Sequence, residues 1–263
     1  MKLLSLACVV LCWAAGQVVV PAFAQGMLSG VDLSQPAYST SEYTREQVIS
    51  LLQEQTPGAP LDLSGKSLNG LDLSGLDLSH VNFRAARLVK TRLTGAKLDG
   101  AVLDQAWLLE ADLTGASLVG ARLFAAQMQR VRADGADFSR ARIAGDLSMS
   151  SLRGARFVET DLSADMRNQS MGLMRAVLSS ATAEGADFMT ADLRSADLRF
   201  LHAQGASFAG ADLKGADASG ADLVRANWDG AKVLELDLDQ AKIDAAAKDV
   251  LRDAKNLNLA IPQ

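Results

Sequence analysis

Large apolar side chains recur at every fifth position over most of this sequence. The spacing holds from Leu63 to Ile143, shifts by one residue from Leu147 to Leu162, and returns from Leu178 to Ile243. A short repeat that persists through so many copies determines the architecture before any single residue does.

A five-residue period fits neither ordinary secondary-structure element. On an α-helix every fifth residue falls on a different side, and on a flat strand every second apolar residue would face outward. The pattern is consistent if the chain turns a corner in each repeat, so that the apolar residues share one axis. The residue two positions earlier also points inward, and from Leu178 to Ile243 it is alanine except at Leu201 and Leu236. Small and large inward residues together predict a narrow, closely packed tube.

Glycine or alanine often follows the large apolar residue by two positions, which suits a corner with unusual backbone angles. From Ala211 to Leu223 the chain reads A-D-L-K-G, A-D-A-S-G, A-D-L. Repeats of this form, A-(D/N/R)-(L/F)-x-(G/A), resemble the pentapeptide-repeat family over residues 61–244. The resemblance implies an all-β solenoid, a right-handed quadrilateral β-helix with four repeats per coil. About nine coils stacked at ~4.8 Å would form a rod of roughly 40 Å with short flanking helices.

The segments outside the repeats have separate roles. Residues 1–24 have the form of a secretory signal peptide, with Lys2, an apolar stretch and a small-x-small cleavage site that ends at Ala24. A membrane anchor is the alternative for this segment. Residues 25–60 form a lead-in, mostly mobile, in which Thr44 to Gln47 reads as a capping box for a short helix through Gln53.

The C-terminal segment, residues 245–263, is predicted to contain a helix that Asp244 caps and that runs to about Lys255. Such a helix either covers the open end of the solenoid or forms a homodimer contact, which some relatives of the family use. Both cysteines, Cys8 and Cys12, lie in the signal peptide, so the mature chain has no thiol. We therefore expect an exported protein, with the periplasm as the first choice and secretion or an organelle lumen as alternatives, and without stable membrane insertion after cleavage.

No catalytic residues, cofactor site or metal site are expected. His80 and His202 lie about six coils apart, so they cannot share a metal ion or a catalytic triad, and no serine has a plausible base beside it. Gly205 to Gly220 is rich in glycine but follows the five-residue repeat and opens no helix. An interior filled by its own side chains also leaves no cavity of the size that enzymes use.

Charge is unevenly distributed along the repeats of this chain, whose formal net charge is −5. Residues 84–156 have twelve bases and seven acids, whereas residues 181–244 have twelve acids and six bases. The first of these regions predicts a basic belt that docks a protein or an anionic polymer, unless it is simply a solvated surface. The six arginines in the downstream part of this arginine belt are Arg130, Arg132, Arg140, Arg142, Arg153 and Arg156.

Residues twenty apart should stack on one another. Asp197, Asp217 and Asp237 would then form an acidic ladder, in which neighbours such as Arg199 soften the repulsion, and a hard cation is a weaker alternative. Asp72 and Arg92 would begin an alternating ladder that compensates its own charge and has a structural role.

Two departures from the repeat are further candidates for the interaction surface. The repeat is interrupted near residues 144–175, where Met166, Met171 and Met174 either fill an irregular core or bind Cu(I) through thioethers. Trp107, Leu109 and Phe124 are expected to point outward, as a partner-binding surface or as ordinary exposed residues.

Together these features favour a non-catalytic, exported rod that binds or scaffolds an unidentified protein partner of the cell envelope. The best-known members of the family imitate duplex DNA and bind DNA gyrase, so the resemblance makes topoisomerase protection the alternative if the chain stays in the cytosol. The signal peptide and the arginine belt oppose that alternative, and no nucleic acid is expected as a partner. Cu(I) binding at the interruption is a lesser alternative.

Overall fold

The structure is a computed structural model that describes residues 32–55, 58–165 and 174–263. The chain divides into two compact units, residues 1–32 and residues 33–263. The predicted signal peptide and its alternative as a membrane anchor lie outside the described residues. The solenoid belongs to the second unit.

Four parallel ladders of bridged residues run along the repeats, and each ladder defines one face of the solenoid. The faces follow one another along the chain in the order A, B, C, D. Face A runs from Asp62 to Lys232, face B from Ser67 to Lys255, face C from Asp72 to Lys242 and face D from Asp77 to Asn227. In the first coils each residue pairs with the residue twenty positions later, as in Asp62↔Asn82. Because each repeat adds one bridged residue to one face and the following repeat adds one to the next face, the chain closes a four-sided coil every four repeats.

The interior is formed by the large apolar residue of each repeat and by the small residue two positions earlier. Leu63, Ala86 and Leu88 are typical, with 1% or less of their surface exposed. Backbone hydrogen bonds connect successive coils, as where the Leu63 amide donates to the Asn82 carbonyl at 2.8 Å. The predicted close-packed tube is therefore confirmed.

Five aromatic rings stack in one continuous column on the inner side of face D. Phe138, Phe157, Phe188, Phe208 and Trp228 have consecutive centroid distances of 5.0, 4.8, 5.1 and 4.9 Å. Trp228 points inward like the phenylalanines, since only 5% of its surface is exposed. Coil spacing thus matches the offset stacking distance of aromatic rings.

At most corners the residue two positions after the large apolar residue has a positive φ. Glycine occupies many of these corners, for example Gly120 at 66°, and non-glycine residues such as Ala125 at 55° occupy others. The preference for small residues at this position therefore follows from the left-handed backbone conformation.

The predicted loss of one residue near Gly145 shortens one coil. Gln127 bridges Asp146, which is nineteen positions away instead of twenty. A β-carbon on Gly145 would lie 2.6 Å from the Ala126 carbonyl oxygen and 3.2 Å from that of Leu123, so only glycine fits the tightened corner.

The interruption downstream is an insertion between faces A and B. Asp161 bridges Asp192, a separation of thirty-one residues, and an antiparallel bridge between Asp165 and Met174 closes the inserted segment at its base. The Asp165 amide donates to the Met174 carbonyl at 2.7 Å. Met166 and Met171 lie outside the described residues.

The lead-in contains helices α1 (Pro36–Ser39) and α2 (Arg45–Gln53). Thr44 and Gln47 form the predicted capping box of α2, and Val48 of this helix is fully buried against the first coil. Ser41 forms an antiparallel bridge with Leu68. The lead-in therefore contacts the solenoid through both of its helices and through the bridge at Ser41.

The predicted C-terminal helix is also wrong. Only a short 3₁₀ helix follows Asp244, at Ala245–Lys248, and a second occupies Leu257–Leu259. The Asp244 carboxylate accepts a hydrogen bond from the Arg225 amide at 2.5 Å instead of capping a helix.

The chain then ends as a strand: β2 (Ile261–Pro262) pairs in parallel with β1 (Lys242–Ile243) and extends face C. The final residues therefore close the last coil by backbone pairing.

Candidate functional site

The arginine belt surrounds the solenoid and does not form one patch. Arg142 lies on face A, Arg132 on face C and Arg156 on face D. Arg130 and Arg140 occupy corners with positive φ. All are exposed, as is Arg153, the sixth member of the belt.

Most of the belt is paired with carboxylates of adjacent coils. Arg132 and Asp112 are 2.7 Å apart, and the other four pairs, with distances from 3.1 to 3.8 Å, are Arg130–Glu110, Arg142–Asp161, Arg153–Glu184 and Arg156–Asp137. Arg140 has no such pair among the described residues. The alternating ladder on face C is self-compensating as predicted, with Arg92 3.1 Å from Asp72.

The acidic ladder on face B is stacked as predicted, but it is not an open row of carboxylates. Asp197 is 2% exposed and contacts Arg199 at 2.6 Å and Arg175 at 3.3 Å. Asp217 also contacts Arg199, at 3.8 Å, while Asp237 pairs with Lys255 at 3.5 Å. Two guanidinium groups therefore cover Asp197, and one of them belongs to Arg199, the neighbour expected to soften the repulsion.

The surface predicted around Trp107 is occupied by the chain itself. Tyr38 of α1 stacks on the half-buried Trp107 at 5.8 Å, and Leu109 is only 1% exposed. The Asn69 side-chain amide donates to the carbonyls of Ala37 and Thr40, which fixes α1 on face B. The prediction that Leu109 is exposed is wrong, because sequence spacing cannot show that the lead-in covers this face.

Phe124 lies in a groove of about 210 Å³ at the corner between faces A and B. This face A groove is lined by Arg84, Asp104, Arg122, Phe124, Arg142 and Asp165. Phe124 is half-buried, and its amide donates to Asp104 at 3.1 Å. Of the predicted interaction residues, the groove brings together only Phe124 and Arg142.

Asp104 organises the groove although sequence reasoning did not select it. Its side chain is 3% exposed and contacts Arg122 at 2.6 Å. Arg84 has no carboxylate within 4.0 Å among the described residues. The spacing of Arg122 and Arg142, twenty residues apart with Phe124 beside the first, was the available signal in the sequence.

The two histidines and the methionine group are the remaining candidates from the sequence. His80 is exposed at a corner with positive φ, and His202 is exposed on face C. Met174, the described member of the methionine group, is half-buried at the base of the insertion. Within the described ranges there is no cluster of three or more metal-ligating side chains, and no helix there is long and apolar enough to cross a membrane.

Comparison with known proteins agrees with this geometry. The model for pentapeptide repeats matches in eight copies, within residues 67–105, 108–143, 173–208, 191–227 and 206–243. The chain belongs to the pentapeptide-repeat family, whose members fold as right-handed quadrilateral β-helices.

Among solved structures, the chain is similar to HetL of the cyanobacterium Nostoc sp. strain PCC 7120, a pentapeptide repeat protein involved in heterocyst differentiation regulation. The identity is 31% over 68% of this chain and 71% of HetL, with a TM-score of 0.29. QnrB1, a plasmid-mediated fluoroquinolone resistance protein, is 20% identical over 77% of this chain and 98% of its own, with a TM-score of 0.25.

A pentapeptide repeat protein from the thylakoid lumen of Arabidopsis thaliana is also similar. Its identity is 28% over 54% of this chain and 79% of that protein, with a TM-score of 0.21. No curated protein matches the chain.

Proposed function

We propose that this chain is a non-catalytic, exported solenoid of about nine coils that binds protein partners of the cell envelope on its sides. The observation that carries the proposal is the contrast between its two surfaces. The interior is filled by stacked apolar side chains, whereas the exterior offers a shaped, charged groove on face A. Such a molecule has surface for recognition, and its described coils have an interior filled by their own side chains.

Export is supported by the sequence of residues 1–24, which has the charge, apolar stretch and cleavage site of a signal peptide. The solved similar protein from a thylakoid lumen is a family member that works outside the cytosol. The expected location is the periplasm.

Topoisomerase protection through DNA mimicry is supported less well. A DNA mimic presents rows of uncompensated negative charge, but the acidic ladder on face B is paired with Arg175, Arg199 and Lys255. Cu(I) binding has still less support, because Met174 is the only described member of the proposed thioether group.

Photo-cross-linking in cells tests the proposed function. A photoreactive amino acid is placed once per variant at Arg142, Gln127, Ser151 or Ser207, so that each face is sampled once. We expect discrete protein adducts from at least one face in the envelope fraction. Full-length protein that forms no discrete adduct from any of the four positions would contradict a binding role.

A further inference from the structure

Face A has a ladder rung that joins two bases. Among the bridges formed by the described residues, Arg122↔Arg142 is the only pair of this kind. Adjacent strands are ~4.8 Å apart, and like charges directly opposite one another are destabilising. A chain of net charge −5 therefore keeps two neighbouring arginines at one place on its surface.

These two guanidinium groups retain unused hydrogen-bond donors. Arg122 is 61% exposed and donates one hydrogen bond to Asp104 at 2.6 Å, while Arg142 is 54% exposed and its nearest approach to Asp161 is 3.5 Å, from Nε. A guanidinium has five N–H donors, so most of them remain available on both residues.

Arg84 adds a third guanidinium to the same groove, and it is exposed without a carboxylate partner among the described residues. The half-buried ring of Phe124 forms an apolar wall beside these donors. Asp104 holds Arg122 in place from below, because it accepts from both the Arg122 side chain and the Phe124 amide. The groove is thus a preformed arrangement of fixed donors around an aromatic side chain.

We propose that the face A groove binds an acidic segment of a protein partner, in which carboxylate side chains flank an apolar or aromatic residue. The carboxylates would bridge Arg84, Arg122 and Arg142, and the apolar residue would lie on Phe124. Arginine and aromatic residues together are the composition of energetically important interface positions. This proposal rests on the proposed function and specifies the chemistry of the partner.

Charge along face A favours a protein segment over a continuous anionic polymer. The basic rung is followed by Asp161, Asp192 and Asp212 on the same ladder, and Asp165 lines the groove itself. The three ladder carboxylates are each paired with a base, so the surplus of positive charge is confined to the groove. A short acidic segment of a protein matches such a confined surplus better than a polymer with a negative charge in every unit does. Charge complementarity therefore selects a short acidic centre with neutral or basic flanks.

Synthetic peptides test this site directly. The probes are fluorescein-labelled, end-blocked heptapeptides centred on Glu-Phe-Glu, with matched Gln-Phe-Gln and Lys-Phe-Lys peptides. We expect the intact protein to bind the acidic peptide in preference to both others, with affinity that decreases as salt is added. Equal binding of the three peptides would overturn the proposal.

Charge-removing variants locate the binding. We expect Arg84→Gln and Arg142→Gln each to weaken binding of the acidic peptide about fivefold, as for single exposed ion pairs. Arg225→Gln is the matched control and should leave binding unchanged, because it removes a base that lies at a corner remote from face A and has no carboxylate partner among the described residues. Equal losses in all three variants would show a general charge effect and would also overturn the proposal.

Other occupants have distinct signatures. Tighter binding of inorganic polyphosphate through Arg84 and Arg142 would indicate an anionic polymer instead, and Arg142-dependent self-association would indicate a second copy of this chain. Either result contradicts an acidic peptide as the occupant. If peptides fail but in-cell cross-linking yields adducts from another face, this site is wrong while the proposed function stands.

Discussion

The aspartate before each large apolar residue organises the corner that follows it. The Ser74 amide donates to Asp72 at 3.0 Å, and Asn82 accepts from the Arg84 amide in the same way. This Asx-type bond satisfies a turn amide, which explains why aspartate and asparagine are favoured in the repeat. These side chains were predicted as surface charges, but they also accept hydrogen bonds from the backbone amides of the corner.

The corner bonds lower the pKa of several aspartates, because they stabilise the ionised form. At Asp77 the Ser79 hydroxyl makes the largest contribution and the Ser79 amide the next. The resulting stability is complete above the unfolded-state pKa and is lost as pH falls through the lower folded-state pKa. We expect Asp77→Asn, which keeps the acceptor oxygen, to flatten the acid dependence of urea unfolding.

Asp229→Asn serves as its control, since this exposed aspartate follows the apolar position of its repeat and does not precede it. An equal change in the acid dependence of both variants would contradict a specific role for the corner bond.

Gly145 is the residue on which the shortened coil depends. We expect Gly145→Ala to lower the free energy of unfolding by about 3 kcal/mol, because the new methyl group meets backbone atoms that cannot move aside. Gly120→Ala should cost only about 1 kcal/mol, since it has open space and only an unfavourable φ of 66°. Chemical denaturation measures the free energy of unfolding of both variants. A smaller loss for Gly145→Ala than for Gly120→Ala would show that the shortened coil does not depend on glycine at position 145.

At the scale of elements, the aromatic column ties successive coils together on face D. Phe188 stacks on Phe157 and Phe208, whereas the equally buried Phe83 has no stacked ring among the described residues. We expect Phe188→Leu to cost about 1–3 kcal/mol more than Phe83→Leu, because two aromatic pairs are lost. Thermal or urea unfolding measures this difference. Equal losses of unfolding free energy in the two variants would show that the rings stabilise the coils through buried volume and not through stacking.

The first coil would expose unpaired carbonyl groups without the lead-in. The Arg45 guanidinium donates to the Asp72 carbonyl at 2.6 Å and the Ser74 carbonyl at 3.0 Å, and the Glu42 amide donates to the Ser67 carbonyl at 2.8 Å. These contacts protect an edge that could otherwise pair with another chain.

Removing that protection should be measurable. We expect Arg45→Ala to lower the free energy of unfolding by about 1–2 kcal/mol and to increase self-association. Arg252→Ala at the opposite end, where the side chain is 80% exposed, should change neither property. Unfolding curves and light scattering provide the test, and unchanged values for Arg45→Ala would show that the edge needs no cap.

The two ends also show where sequence reasoning succeeds. The α2 helix was predictable because Thr44 and Gln47 form a local capping signal. The C-terminal helix was predicted on similar grounds at Asp244, but pairing of Ile261 with Lys242 and the Arg225 amide bond compete with it. Whether a local helix signal is followed depends on pairing between residues distant in sequence, and this pairing cannot be read from a single sequence.

For the whole molecule, the five-residue period was sufficient to predict a closely packed tube, because every repeat has the same geometry, whereas the four sides were implied only by the resemblance to the pentapeptide-repeat family. The interaction surface was harder to predict, since it depends on which residues neighbour one another across coils. Trp107 and Leu109 were expected on the outside, yet Tyr38 and the lead-in cover them. The same stacking pairs most of the arginine belt with acids and leaves Arg84 unpaired beside the Arg122–Arg142 rung.

Export is the property on which the proposed function depends most. It is tested directly by determining which residue forms the N-terminus of the mature protein. The chain is produced from Met1 in a Gram-negative bacterium, periplasmic and cytosolic fractions are separated, and the intact protein is analysed by mass spectrometry. The proposed function predicts a periplasmic protein that begins at Gln25. An uncleaved chain that retains Met1 and accumulates in the cytosol would contradict it.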